Sequence, residues 1–347
     1  MLKKRVTNHR VVMRPRVKVI KFNVIYILLP LSLFLSAFVN ADVDVRIVDI
    51  GAGLCVLAHD KNQNRFFLYD AGRWDNHICE DYVNSTVNGR GIDLIVISHS
   101  DSDHLSNLEQ ILIRNNVKTI IHTGYPRLRV TNWRKANTAI YMAEGRGTKV
   151  YNLRITPINT INPIFYIGNI QVELMYGSGG WAGAYLPENE RRNAISIALK
   201  LTAYGKSIFF SGDLVGRHEN SPESYCSYSE KELVDIGRNL KSDVLIAPHH
   251  GANNASSSCL LRSVSPSYII FSAGHKYQHP RKKTIDRITN ILGIPISNMF
   301  RTDRGDDEGD KEWDYLRIKN CKDKPGDDDI QILISPLSEL KVDYLNS

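Results

Sequence analysis

The stretch "VISHSDSDHLSN" at 96–107 constrains this chain more than any other. A largely apolar run, "IDLIVIS" at 92–98, leads directly into His99, Asp101, Asp103 and His104. Side chains of this kind are not left in a protein interior without partners. A buried strand must therefore hand them to a loop where other polar groups, or a metal, meet them. Two later apolar runs end the same way: "FFSGD" supplies Asp213 and "VLIAPHHG" supplies His249 and His250. Glycines at 212 and 251 allow the backbone to turn sharply there. A helix follows the first cluster, since Leu105, Leu108, Ile111 and Leu112 in 103–113 repeat at helical spacing. Capping that helix needs one acidic residue, such as Asp103, and leaves the other three unexplained.

The rest of the chain reads as strands punctuated by turns. "VDVRIVDI" (43–50), "CVLAH" (55–59) and "RFFLYDAG" (65–72) form a β-meander, and "KTIIHT" and "IQVELMY" are further strands. "AISIALKLTAYGKSIFFSGD" (194–213) is a hairpin turned at Tyr204-Gly205-Lys206, and "PSYIIFSAG" (266–274) is another strand. No internal repeat or linker divides this α/β body, which spans 42–320. A polar C-terminal extension, 321–347, follows, in which "QILIS" adds one edge strand.

Net charge lends no support to a nucleic-acid-binding face on the body. The chain has 44 Lys and Arg against 37 Asp and Glu, but eight of the basic residues and no acidic one lie in 1–41. Beyond residue 41 the balance is 36 to 37, so the basic surplus belongs to the leader and marks no nucleic-acid face on the body. The leader itself, a basic stretch to Lys21 followed by "FNVIYILLPLSLFLSAFV" and "VNA", reads as a secretory signal; an uncleaved anchor with the body facing outward is the alternative. Either way the expectation is an exported protein, periplasmic or secreted, touching a membrane only through an uncleaved leader. Five scattered cysteines, Cys55, Cys79, Cys226, Cys259 and Cys321, form no zinc-binding pattern and permit disulfides without naming a pair.

Taken together, these motifs resemble the metallo-β-lactamase superfamily, whose first motif is HxHxDH. They are most similar to the C-terminal domain of ComEC-type DNA-uptake proteins, which write it HxDxDH. "DIGAG", "LYDAG", "SHSDSDH", "NAISIALKL", "FFSGD", "LKSDVLIAPHHGA" and "YQHP" follow in family order across nearly the whole body. The resemblance implies an αββα four-layer sandwich with metals at one edge of the two sheets. It implies His99, Asp101, Asp103, His104, Asp213 and one or both of His249 and His250 as ligands of two divalent ions, zinc or manganese. Asp103 also counts as a candidate catalytic residue, with His279 beside it to hold a ligand or phosphate. The chain departs from the family at Leu54, where an acidic residue is usual, at Ala252 for Ser, and at His275-Lys276 before "YQHP". The separate third histidine of true β-lactamases has no candidate, because His122 comes too early.

Two ions that activate a shared water suit a tetrahedral phosphoryl centre, so the expected substrate is a phosphodiester, in DNA or a nucleotide. No organic cofactor is expected, and the oligomeric state is open. Arg191, Arg192, Lys276, Arg281, Lys282 and Lys283 could hold a phosphate backbone or be plain surface charge. His59, His77 and His218 carry no assignment, and His122 reads as a packed side chain. A lactonase or β-lactamase is the rival enzyme; a binding module that keeps the fold without turnover is the rival from another class.

Overall fold

In the first third of the body, side-chain alternation at every second residue decides which surface each strand buries. The structure is a computed structural model and describes residues 41–177, 186–304 and 327–345. Strands β1 (Val43–Ile47), β2 (Val56–Asp60) and β3 (Arg65–Tyr69) make the antiparallel meander. After helix α1 (Ile78–Val87), β4 (Ile92–Ile97) joins β3 in parallel. Helices α2 (Ser102–Leu105) and α3 (Leu108–Arg114) precede β5 (Val117–His122), and α4 (Thr131–Gly145) precedes β6 (Lys149–Asn152), both also parallel additions.

A second sheet starts with β7 (Ile164–Ile167) and β8 (Ile170–Tyr176), then, past α5 (Glu188–Ala194), the hairpin β9 (Ala198–Ala203) and β10 (Lys206–Phe210). Its two-residue turn, Tyr204-Gly205, has φ of 49° and 78°, the left-handed pair a tight hairpin demands. Helix α6 (Tyr228–Asp235), β11 (Val244–Ile246), α7 (Ser258–Val264), β12 (Tyr268–Phe271), α8 (Lys282–Leu292) and β13 (Met299–Arg301) complete it, with β10 to β13 all parallel.

Three apolar clusters stack these elements as αββα. Between the sheets, Phe67, Tyr69, Leu94 and Val96 of the first pack with Leu199, Leu201, Ile208 and Phe210 of the second. Outside the first sheet, Phe66 and Leu68 turn the other way, onto Val83 of α1, Ile111 of α3 and Ile140 of α4. Outside the second, Phe209 and Ile269 meet Leu233 of α6, Leu261 of α7 and Ile288 of α8. Helices on both outer faces are what parallel strands require.

Two features differ from the sequence reading, and a third supplies what it left open. The C-terminal segment is no appendage with a single edge strand. It supplies β14 (Ile330–Ile334) and β15 (Leu340–Tyr344), and β14 lies inside the first sheet, antiparallel to both β1 and β15. Ile330, Ile332 and Ile334 are fully buried between the sheets, which ties this segment to the same core as β1. The helix expected over 103–113 is broken at Ser106-Asn107, because those two amides donate instead to Gly72 O (3.0 Å) and Ala71 O (2.8 Å). Lastly, Cys55–Cys79 and Cys226–Cys259 are disulfides, bridging 24 and 33 residues. Cys321 and residues 1–40, the expected leader, lie outside the described residues. Among the described residues no helix is long and apolar enough to cross a membrane.

Candidate metal centre

Residues that follow the carboxyl ends of β3, β4, β10, β11 and β12 converge on one point. Backbone constraint holds them there. Gly212 has φ of 50°, and a Cβ on it would come within 2.8 Å of Ser98 Cβ and 2.9 Å of Ser196 Cβ, so only glycine fits. Asp70, His249 and His250 adopt the same left-handed region with φ of 61°, 50° and 55°. Such conformations cost about 1 kcal/mol or more each for ordinary side chains and gather at functional sites.

Asp70 sets the protonation pattern. Ser98 donates to it twice, from its amide to Oδ1 (2.6 Å) and from its hydroxyl to Oδ2 (2.7 Å). His104 donates to the same Oδ2 from Nδ1 at 2.7 Å. With its proton committed to Asp70, the Ser98 hydroxyl can only accept from His99 Nδ1, 3.0 Å away. Both histidines are thereby turned so that Nε2 faces inward without its own hydrogen. His250 is fixed likewise, donating from Nδ1 to Ser272 O at 2.6 Å. A buried carboxylate or carbonyl on the outer nitrogen is the usual orienting partner of a metal-binding imidazole.

The inward nitrogens of His104 and His250 then stand 3.2 Å apart, a contact that needs either a shared proton or a metal cation between them. Asp213 Oδ1 lies 3.3 Å from His104 Nε2 and 3.7 Å from His250 Nε2, and Asp103 Oδ2 lies 3.7 Å from His250 Nε2. Donors on a tetrahedron with bonds of about 2.0–2.2 Å sit roughly 3.3–3.6 Å apart, so these spacings suit a divalent ion, and the donors fall into two overlapping groups, His99 with His104 and Asp213, and Asp103 with His104 and His250. Asp213 Oδ1 and His99 Nε2 are buried and have no hydrogen-bond partner among the described residues. The residues present therefore fit a metal.

Of the expected ligands, His99, Asp103, His104, Asp213 and His250 fall into donor groups, and Asp101 and His249 do not. Asp101 Oδ1 is held by Arg192 Nε at 2.7 Å and Arg127 Nη1 at 2.9 Å. His249 donates from Nδ1 to Asn254 Oδ1 (2.9 Å), and its Nε2 accepts from the Asn193 amide (3.1 Å). His279 stands beyond His249, ring centroids 5.9 Å apart, and burial holds it neutral, far below its ordinary value. His122 belongs to neither donor group, and desolvation of its ring pushes it down to about 4. Leu54 packs into the core between the sheets. Among the basic residues named from sequence, Arg192 borders the site, whereas Lys282 pairs with Asp286 on its own helix and Lys276 covers the Trp74 ring at 4.2 Å. Sequence reasoning did not assign Asp70, Ser98 or Arg127, although "LYDAG" put an aspartate straight after a buried strand.

The metal-free charge pattern predicts a pH signature. Burial opposes the charged form of His104 and of His250, but Asp213 and its neighbouring carboxylates outweigh it and raise both, His104 strongly. Stability from these two is complete below 6.5, their ordinary value, and is lost as pH rises through the raised values. His59, His99, His122 and His279 are lowered, burial being the largest cause in each. They contribute stability above 6.5 that fades as pH falls. A chelated sample should thus show its highest melting temperature near 6.5 and lose stability on either side. Added zinc or manganese should stabilise increasingly above that pH, where protons no longer compete. Melting curves across pH check this; a metal-induced shift that shrinks with rising pH contradicts it.

Comparison with known proteins bears on this geometry. A 27% identical relative over 269 residues is competence protein ComA of Neisseria gonorrhoeae, aligned over 75% of this chain and 31% of the relative. ComE operon protein 3 of Bacillus subtilis (strain 168) is 22% identical over 301 residues, covering 82% of this chain and 34% of that protein. The chain thus spans about a third of the length of the curated relatives it matches. Among solved structures, the metallo-beta-lactamase fold protein YhfI from Bacillus subtilis superposes with a TM-score of 0.44 at 9% identity, covering 75% of this chain and 95% of that one. Residues 48–275 match the family model of the metallo-beta-lactamase superfamily, with every donor named above inside that range. The chain is a member of the metallo-beta-lactamase superfamily.

Proposed function

We propose that this protein is an exported metallohydrolase that cleaves phosphodiester bonds in nucleic acid or nucleotides. The observation that carries the reading is the meeting of Asp103, His104, Asp213 and His250, from three distant loops, with neighbouring donor atoms 3.2–3.7 Å apart. Two imidazoles with two carboxylates suit zinc or manganese. When bound, such an ion supplies Lewis acidity toward a phosphoryl oxygen and makes water acidic enough to react near neutral pH.

The chain's own groups divide the remaining work. Asp70 and Ser272 O keep His104 and His250 in the tautomer that presents Nε2. His99, buried and lowered by that burial, keeps a bare Nε2 at 3.7 Å from Asp213 Oδ2, where it can accept a proton from an attacking water. Arg127 and Arg192 put positive charge at the rim, which favours a phosphate over a neutral lactam or lactone. Likeness to two competence proteins supports nucleic acid as the substrate class. Two disulfides and the secretory reading of the leader support export.

The test is a purified chain with its metal content measured, assayed on bis-p-nitrophenyl phosphate, single- and double-stranded DNA, and a chromogenic cephalosporin. The expected outcome is phosphodiester turnover that stops with a chelator and returns with manganese or zinc. Turnover of the cephalosporin alone would move the protein to the lactamase class. No turnover of any substrate by the metal-loaded chain would make it a binding module.

A further inference from the structure

One side of the metal centre is built differently from the expected two-ion site. A second ion beside the four-donor position would draw on His99, Asp101, Asp213 Oδ2 and His249. His104 belongs to both donor groups, with His99 and Asp213 and with Asp103 and His250, but an imidazole nitrogen has a single lone pair and so serves one ion at a time. His249 Nε2 accepts from Asn193 Nδ2. Asp101 is turned to two guanidinium groups, which converge on its Oδ1 from 26 and 91 residues further along the chain. That leaves His99 Nε2 and Asp213 Oδ2, 3.7 Å apart, with His249 Nε2 3.9 Å from the same oxygen but taken up by Asn193. Two free donors do not close a zinc site, whose catalytic form keeps three protein ligands.

Positive charge is nevertheless concentrated there. Arg127 leaves the loop after β5 and also donates to Ser100 O at 3.4 Å, inside the 98–101 ligand loop. Arg192 sits on α5, next to Asn193, whose amide reaches His249. Both side chains are largely buried, 20% and 13% exposed, and they share one carboxylate. A guanidinium carries five N–H donors in a planar fork. Among the described residues, Arg127 uses only Nη1 and Arg192 only Nε and Nη1, so each keeps donors for a further anion.

We propose that Asp101 is a holder of arginines, not a metal ligand, and that Arg127 and Arg192 form a phosphoryl-oxyanion site that stands in for the second ion. The chain then binds one divalent ion, with the arginine pair gripping the non-bridging oxygens of the substrate phosphate. Planar, always-charged forks hold such oxygens in two-point contact without changing protonation. The proposal rests on the phosphodiester reading above for its substrate, but its measurements stand apart from turnover.

The full chain, loaded with excess manganese or zinc and freed of unbound metal, is analysed by elemental mass spectrometry. One ion per chain is expected; two ions per chain overturn the proposal. Calorimetry with inorganic phosphate on the chelated chain then isolates the arginines from any metal. Arg127→Gln/Arg192→Gln should bind phosphate about tenfold more weakly or worse, the scale of losing charge-assisted hydrogen bonds. Equal phosphate binding by this variant and the wild type, or none by the wild type, overturns it. Retention of one ion by the double variant shows that the centre is intact; if that ion is lost, the two single substitutions carry the same comparison. One ion, arginine-dependent phosphate binding and no phosphodiesterase activity would remove the function and leave this site. Two ions with robust phosphodiesterase activity would do the reverse.

Discussion

Asp213→Asn should lower phosphodiester turnover by about a thousandfold or more, the rate equivalent of several kcal/mol of Lewis-acid stabilisation. Asp213 follows β10 and faces every inward nitrogen of the centre, with Oδ1 toward His104 and His250 and Oδ2 toward His99. Burial alone would push its carboxyl up, yet His104, His250, His99 and His249 hold it well below the ordinary range, so it is a carboxylate at any working pH. An amide of the same shape removes that charge while leaving the backbone, which donates from Asp213 N to Ser196 Oγ at 3.0 Å, undisturbed. Metal content measured with kcat separates the causes. Loss of the ion together with activity is expected; an Asn variant that keeps both would show that Asp213 does not hold the metal.

Asp70→Asn should weaken metal affinity about 10- to 100-fold although residue 70 does not belong to either donor group. Its carboxylate accepts from Ser98 N, Ser98 Oγ and His104 Nδ1, and through Ser98 it also fixes His99. An amide offers one acceptor oxygen, so at least one of these donors loses its partner; with the NH2 in the place of Oδ2, both Ser98 Oγ and His104 Nδ1 do, and the amide N–H facing His104 Nδ1 would favour the wrong tautomer. Nitrogen chemical shifts of the histidine rings give a readout that a merely structural role would not move: the His104 tautomer should change or mix. Unchanged shifts and unchanged metal affinity would remove Asp70 from the account.

Much of this was legible in the sequence because local patterns and tertiary demands agree. In β3, Phe66 and Leu68 alternate with Phe67 and Tyr69, and each pair serves a different core. Buried strands ending in clustered histidines and aspartates located Asp103, His104 and Asp213 before any coordinates. What was illegible depends on partners far along the chain. The sequence offers Asp101 as a ligand and cannot show its pairing with Arg127, 26 residues away, and Arg192, 91 away. His249 and His250 are neighbours with similar backbone angles, and only Ser272 O and Asn254 decide which one turns inward. The C-terminal strand β14 was read as an edge strand because its alternating isoleucines are surrounded by polar residues; its pairing with β1, nearly the length of the chain away, cannot be seen from local composition. Likewise Ser106 and Asn107 fit a helical pattern, and it is the backbone carbonyls at 71 and 72 that interrupt it.

The most direct measurement is anomalous diffraction from crystals grown with manganese or zinc. This account predicts a single strong peak per chain at about 2.0–2.3 Å from Asp103, His104 Nε2, Asp213 and His250 Nε2, with Asp101 still turned to Arg127 and Arg192. No peak among those four side chains, or a peak ligated by His249 in place of His250, would contradict it.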